Sequence, residues 1–322
     1  MFCLRIIRGW LSRTEKPGIC HRRISQGRPR AGGVPVVQAL RGIASFAVCW
    51  YHFTAWNVSV PQGWVKSSGL YGYLGVEAFF VISGFIVPYS LFAGGYQLPS
   101  FFRFLGKRIV RVDPPYVASI LLSLAAAWVA GRMAGHTGTA SHYSLVSTGA
   151  SLGVPDSLSA HQVWINGVYW TLAVEFQYYL ALALLFPALT SSKAAVRRVC
   201  FAAALGASLL NRNPEFLPRS IPLFLLGLAG MEFVCHMIDR REFALMAAVC
   251  GGMAMYTAGV GESCVGMAAI ACILSFRSAP KWLLASGNIS YSLYLIDVPV
   301  GIRVENLAHR FIPARAVSWN RF

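Results

Sequence analysis

The chain has 322 residues, 56% of them hydrophobic and only 12% charged, with a formal charge of +16. Soluble domains carry about 25% charged residues, so the composition excludes an ordinary soluble enzyme and points to an all-α, polytopic bundle of transmembrane helices. Eight cysteines without a CxxC pair or a Cys/His group at zinc spacing exclude a disulfide framework and a metal site, and no phosphate-cradling glycine loop or GxSxG elbow occurs.

In chain order, residues 1–35 come first as a basic, disordered extension: Arg5, Arg8, Arg13, Lys16, Arg22, Arg23, Arg28 and Arg30 stand against Glu15 alone. Beside a membrane span such a segment marks the cytoplasmic side and favours anionic membrane lipid over nucleic acid. It lacks the apolar core and cleavage site of a secretory signal. Runs of about 20 apolar residues place spans at 36–57, 71–92, 113–133, 167–189, 196–211, 219–236, 243–259, 262–276 and 284–302, a membrane domain over 36–302 without an internal repeat. Residues 134–166, polar and carrying His136, His142 and His161, are expected to form a loop with a re-entrant piece near 143–154. The connections assigned to the cytoplasm hold Arg103, Lys107, Arg108 and Arg111, then Lys193, Arg197 and Arg198, then Arg240 and Arg241, then Arg277 and Lys281, whereas the outward connections at 58–70 and 134–166 hold only Lys66. This positive-inside pattern predicts nine crossings from a cytoplasmic N-terminus and leaves the tail 303–322 outside.

Ionisable residues inside spans are costly in lipid and mark functional sites. Arg41 and His52, in "LRGIASFAVCWYHF" (40–53), are eleven positions apart. At about 100° and 1.5 Å per residue they share one helix face, about 16 Å apart along the axis. The ordinary alternative is a snorkelling arginine and a histidine satisfied inside the bundle. The same rise counted from each span end puts His52, Glu77, Glu175 and Asp297 at one level in the outer half of the membrane, which predicts a shared polar cavity. Arg41, Arg108 and Arg111 fall at the opposite, cytoplasmic level. Arg108 and Arg111 face the same way on a helix, and "VDPP" (112–115) is expected to open the next span, since prolines suit a first helical turn. Beyond topology anchoring, guanidinium groups so placed suit an anionic group such as a phosphate.

Five stretches resemble, in order, the signature sequences of the acyltransferase 3 family: "LRGIASFAVCWYHF", "GVEAFFVISGFIV" (75–87), "FFRFLGKRIVRVDPPY" (101–116), "VYWTLAVEFQYYL" (168–180) and "GNISYSLYLID" (287–297). That family comprises integral-membrane enzymes, in bacteria of the inner membrane, that move acyl groups, often acetyl, onto sugars of polysaccharides, glycolipids or small glycosylated products. The resemblance implies that His52 is the catalytic histidine with Arg41 as its partner, and that Arg108 and Arg111 meet the acyl-CoA donor. It makes Glu175 the acidic residue of a motif reading "WTLAVE" here, with Thr171 for the usual serine, and places Ser83 in the same region. Glu77, Trp170 and Asp297 are further cavity candidates. Where this chain has Asp297 the family usually has histidine; the carboxylate loses the ring of a proton relay and keeps the capacity to hold a histidine by hydrogen bonding. Family members usually have ten spans, so the tail "RVENLAHRFIPARAVSWNRF" (303–322) implies that the last helix is missing.

The expected reaction is transfer from acyl-CoA, acetyl-CoA in the first instance and without a metal, to a hydroxyl of a carbohydrate or glycolipid acceptor. A neutral imidazole takes the hydroxyl proton or itself carries the acyl group. Glu175 is expected to orient the ring as a triad carboxylate does, and backbone amides near Gly75 to Gly84 to hold the oxyanion. The competing class is a proton-coupled secondary transporter, because buried carboxylates and a histidine also build proton relays; the absent repeat and the ordered motifs count against it. An inactive, truncated family member is the third reading.

Overall fold

The computed structural model describes residues 34–57, 60–133, 168–302 and 304, with the side chains of all of these except 126–133 and 302. Among them the chain is helical, without a strand. Helix α1 (Pro35–Tyr51) continues into a π-helical segment (His52–Trp56), followed by the short α2 (Trp64–Ser68) and a 3₁₀ turn (Gly72–Leu74). Then come α3 (Gly75–Ala93), α4 (Phe101–Met133), α5 (Tyr169–Leu189), α6 (Ala194–Ala207), α7 (Leu217–Val234), α8 (Arg240–Thr257) and α9 (Val260–Ser275). Helix α10 (Lys281–Ile296) ends in a second π-helical segment (Asp297–Ile302).

Each of the nine expected spans overlaps one of the helices α1 and α3 to α10, with ends that differ by several residues at most and, for α4, by twelve at its start. By length and composition, Trp64–Ala93, Tyr169–Leu189 and Leu217–Val234 are apolar enough to cross a membrane by themselves, and Val260–Ser275 is a shorter apolar helix. Large apolar side chains such as Phe102, Leu121, Val199, Leu210, Leu245 and Trp282 point outward. Water would expel so apolar an exterior, and lipid would not; the chain is an all-α membrane bundle. The expectations for residues 1–33, for the 134–166 loop with its re-entrant piece, and for the tail from 305 onward lie outside the described residues.

One element departs from expectation. The "VDPP" stretch does not open a helix: α4 starts at Phe101 and carries Pro114 and Pro115 in its interior. A proline inside a helix removes one amide donor and crowds the carbonyl four residues back, but within a bundle neighbouring helices can satisfy the freed groups. Beside the prolines, the Tyr291 hydroxyl of α10 donates to the Val112 carbonyl at 2.8 Å. Arg108 and Arg111 therefore project from the body of a helix and not from a connection.

Helix α3 lies at the centre, against α1, α5, α7 and α9, while α10 runs along α1 and α7 along α3. Both long pairings rely on small residues, which let backbones approach where no hydrophobic drive separates helix from lipid. Gly42 faces Ser286 and Gly287, and Gly287 faces the Gln38 backbone. In the α3–α7 pair, Gly84 sits on the Phe224 backbone and Gly227 on that of Val81 and Phe85; the Phe224 ring then stacks on Tyr178 of α5 at 4.0 Å. A Cβ at Gly84 would fall 2.8 Å from the Phe224 Cα, and a backbone atom cannot swing away. Gly84→Val is therefore expected to destabilise the bundle by the upper part of the about 1–3 kcal/mol typical of overpacking, seen as a lower thermal-unfolding midpoint in detergent. An unchanged midpoint would show that α3 and α7 tolerate a wider spacing.

Candidate active site

The π-helical segments that end α1 and α10 pack against each other. Such turns are rare and recur at functional sites; in the second, Pro299 has no amide with which to continue the α-helical ladder. Each segment begins with a polar residue, and the two meet: His52 Nδ1 lies 2.7 Å from Asp297 Oδ2. The Asp297 side chain is fully buried and that of His52 is 11% exposed. The other carboxylate oxygen, Oδ1, accepts from the Val298 amide at 2.7 Å. Cys49, one turn before His52 and buried, lies within hydrogen-bonding reach of the same carboxylate. Tyr51 and Trp56 flank the imidazole, with ring centroids 5.5 Å and 5.4 Å away. A carboxylate facing Nδ1 accepts a hydrogen bond from Nδ1–H, which favours that tautomer and leaves Nε2 as the basic nitrogen.

Arg41, toward the other end of α1, belongs to a second group. Of the groups around it the Glu175 carboxylate acts on it most strongly, and Arg111, Tyr179 and Arg108 stand nearby. Its Nε is buried and without a hydrogen-bond partner. Glu175 Oε1 accepts from Ser83 Oγ at 2.8 Å and from the Tyr179 hydroxyl one turn along α5. The Arg108 guanidinium lies over the rings of Phe104 and Tyr179, 5.3 Å and 5.2 Å from their centroids, a cation–π arrangement that holds its plane. A small cleft of about 20 Å³ opens here between Arg108, Val112, Asp113, Glu175 and Tyr179, with room for about one water molecule. Three arginines against two carboxylates, Glu175 and Asp113, leave the group with one net positive charge and, in Arg41 Nε, a buried donor without a partner, which suits an anion.

The two groups correct the expectation of a single polar level. Glu175 does not orient His52; that place is taken by Asp297, and Glu175 is engaged by Ser83, Tyr179 and the arginines. A depth counted from span ends ignores how neighbouring helices are staggered, and eleven positions on α1 separate Arg41 from His52 by about 16 Å. Glu77 stands in a third place, buried beside Glu262 and Arg219. The amides expected to hold an oxyanion lie within the continuous helix α3, so from Phe79 onward they are committed to carbonyls four residues back. Trp170 packs half-buried against the core.

A hydroxyl pair links the dyad level to the arginine level. Thr171, one turn before Glu175, shares a 2.7 Å hydrogen bond with the Tyr294 hydroxyl, one turn before Asp297, and also donates to the Val168 carbonyl at 2.8 Å. Tyr179 and Tyr294 were not singled out in the sequence, although their spacing of four and three from Glu175 and Asp297 is that of same-face neighbours on a helix.

No curated protein and no solved structure matches the chain. A family model described as an acyltransferase domain matches residues 35–317, which takes in every helix among the described residues. With the match covering far more than half of its length, the chain belongs to the acyltransferase 3 family.

Proposed function

We propose that this membrane acyltransferase moves an acyl group, acetyl in the simplest case, from acyl-CoA to a hydroxyl of a carbohydrate or glycolipid. In this reading it is a multi-pass protein of the bacterial inner membrane, with its N-terminus and arginine group toward the cytoplasm. The observation that carries the reading is the buried His52–Asp297 pair; in this reading Nδ1–H donates to the carboxylate and Nε2 acts as the base. As the acceptor oxygen attacks the thioester carbonyl, Nε2 takes the hydroxyl proton, and Asp297 stabilises the imidazolium. The C–S bond then breaks, the CoA sulfur leaves, and it recovers the proton from Nε2. Arg41, Arg108 and Arg111 hold the donor's phosphates, about three helical turns from the histidine along α1, a distance bridged by the donor's long flexible arm.

The test uses the full chain in lipid nanodiscs with acetyl-CoA, following CoA thiol release and acetylation of a glycan mixture. His52→Ala is expected to lower transfer by about 10²–10⁴-fold, the usual worth of a general base, with normal membrane insertion. Near-normal transfer by that variant would overturn the mechanism. Absence of thiol release from the unaltered protein, together with proton-coupled solute uptake, would favour a transporter.

A further inference from the structure

Three helices of the bundle carry a charged group at their third residue, and the three groups converge: Glu77 in α3, Arg219 in α7 and Glu262 in α9. Carboxylates suit a helix N-terminus, whereas a cation there opposes the helix dipole. Arg219 is nonetheless held firmly. Its Nη2 lies 3.8 Å from Glu262 Oε1 and donates to the Ala258 carbonyl at 3.3 Å, while its own carbonyl accepts from Thr257 Oγ1 at 3.0 Å. The turn between α8 and α9 adopts φ 141° at Gly259, where a Cβ would run into the Glu262 carboxylate. Arg219 and Glu262 are thus held together at a turn that only glycine accommodates, with Glu77 beside them.

Glu77 is the unfinished part. It is 5% exposed, and its Oε2 has no hydrogen-bond partner. A buried carboxyl oxygen left unpaired destabilises the fold, and a ligand donating a hydrogen bond would remove that cost. On the open side, one turn before Glu77, stands Tyr73, 38% exposed and within the fields of Glu262 and Glu77. Its ring meets that of Tyr51 edge-on at 5.7 Å, and Tyr51 adjoins His52 at 5.5 Å. A row of aromatic rings therefore runs from Tyr73, one turn before Glu77, to the imidazole of His52.

The chemistry narrows the occupant. An anion would meet two carboxylates, a cation would meet Arg219, and an apolar group would leave Oε2 unpaired. Several hydroxyl groups on a ring satisfy all four side chains: carboxylates accept, the guanidinium donates, and the tyrosine face covers the C–H surface. We propose that Glu77, Glu262, Arg219 and Tyr73 form the subsite for a saccharide acceptor, directing one of its hydroxyls along Tyr51 toward His52. This deepens the acyltransferase reading and rests on it for the role of acceptor, but the binding itself is testable without turnover.

The experiment is saturation-transfer NMR on the full chain in nanodiscs with methyl glucoside, methyl galactoside and N-acetylglucosamine, beside a CoA-binding measurement. At least one sugar is expected to bind, and Glu77→Gln and Tyr73→Ala are each expected to weaken it at least tenfold while CoA binding is unchanged. Tyr73 lies at the surface, so its variant remains informative if Glu77→Gln fails to fold. Absence of sugar binding to the unaltered protein, or unchanged binding in both variants, would overturn the subsite. Failure of the acyltransferase reading would look different: sugar binding sensitive to both variants, with no CoA thiol released from acetyl-CoA.

Discussion

Asp297→Asn is expected to lower acyl transfer by about 10²–10⁴-fold while leaving membrane insertion and donor affinity unchanged. Asparagine is nearly isosteric, and its side-chain oxygen keeps the bond that Oδ1 now accepts from the Val298 amide at 2.7 Å. Its NH₂ group must then face His52 where Oδ2 sits at 2.7 Å. A donor facing Nδ1 reverses the tautomer: the proton moves to Nε2, and the nitrogen aimed at the acceptor hydroxyl is no longer a base. The imidazolium formed during transfer would also lose its counter-charge. Turnover at saturating acetyl-CoA, set beside the Michaelis constant for the donor, checks this, because an orienting carboxylate acts on kcat and a donor-binding one on KM. If Asp297→Asn transfers at the unaltered rate, His52 does not work as a base oriented by this carboxylate.

Changing Arg108 and Arg111 together to lysine is expected to raise the donor's KM by about 10–100-fold with little effect on kcat. Charge is conserved, so a simple topology anchor would be indifferent. What is lost is shape. The planar guanidinium grips a phosphate through two parallel hydrogen bonds, and Arg108 keeps its plane by lying over Phe104 and Tyr179. A lysine ammonium makes neither the fork nor the same stacking. Hydrogen bonds to charged groups are worth about 1.5–3 kcal/mol, and each 1.4 kcal/mol is tenfold in affinity, which sets the expected range. Retention of the original donor affinity by the double variant would reduce the pair to anchoring residues.

The features legible before any coordinates were those that depend on one helix at a time. Apolar runs located the helices α1 and α3 to α10, because a helix that meets lipid must be apolar along most of its length. The shared face of Arg41 and His52 followed from the pitch of α1 alone. Where the chain had to be read across a discontinuity, the reading slipped. The sequence pattern sets Pro114 and Pro115 at a helix start, yet they lie inside α4, since the local cost of a proline can be met by neighbouring helices that a sequence does not display. The π-helical turns that begin at His52 and Asp297 were equally invisible, being a departure of one residue from the regular ladder.

By itself the amino-acid sequence determined the fold class, the helices, the family and the short roster of polar residues worth a place in a membrane. Which of those residues touch was decided only by the tertiary structure. Asp297, Glu175 and Glu77 are each a carboxylate within an apolar run, and a count of residues along each helix assigned them one level. Packing sorted them into three: Asp297 against His52, Glu175 against Ser83, Tyr179 and the arginines, and Glu77 beside Arg219 and Glu262. The physical reason is that pitch fixes a side chain's height and bearing on its own helix, whereas stagger and rotation between helices are set by close contacts such as Gly84 on Phe224 and Gly287 on Gln38, which join residues far apart in the chain.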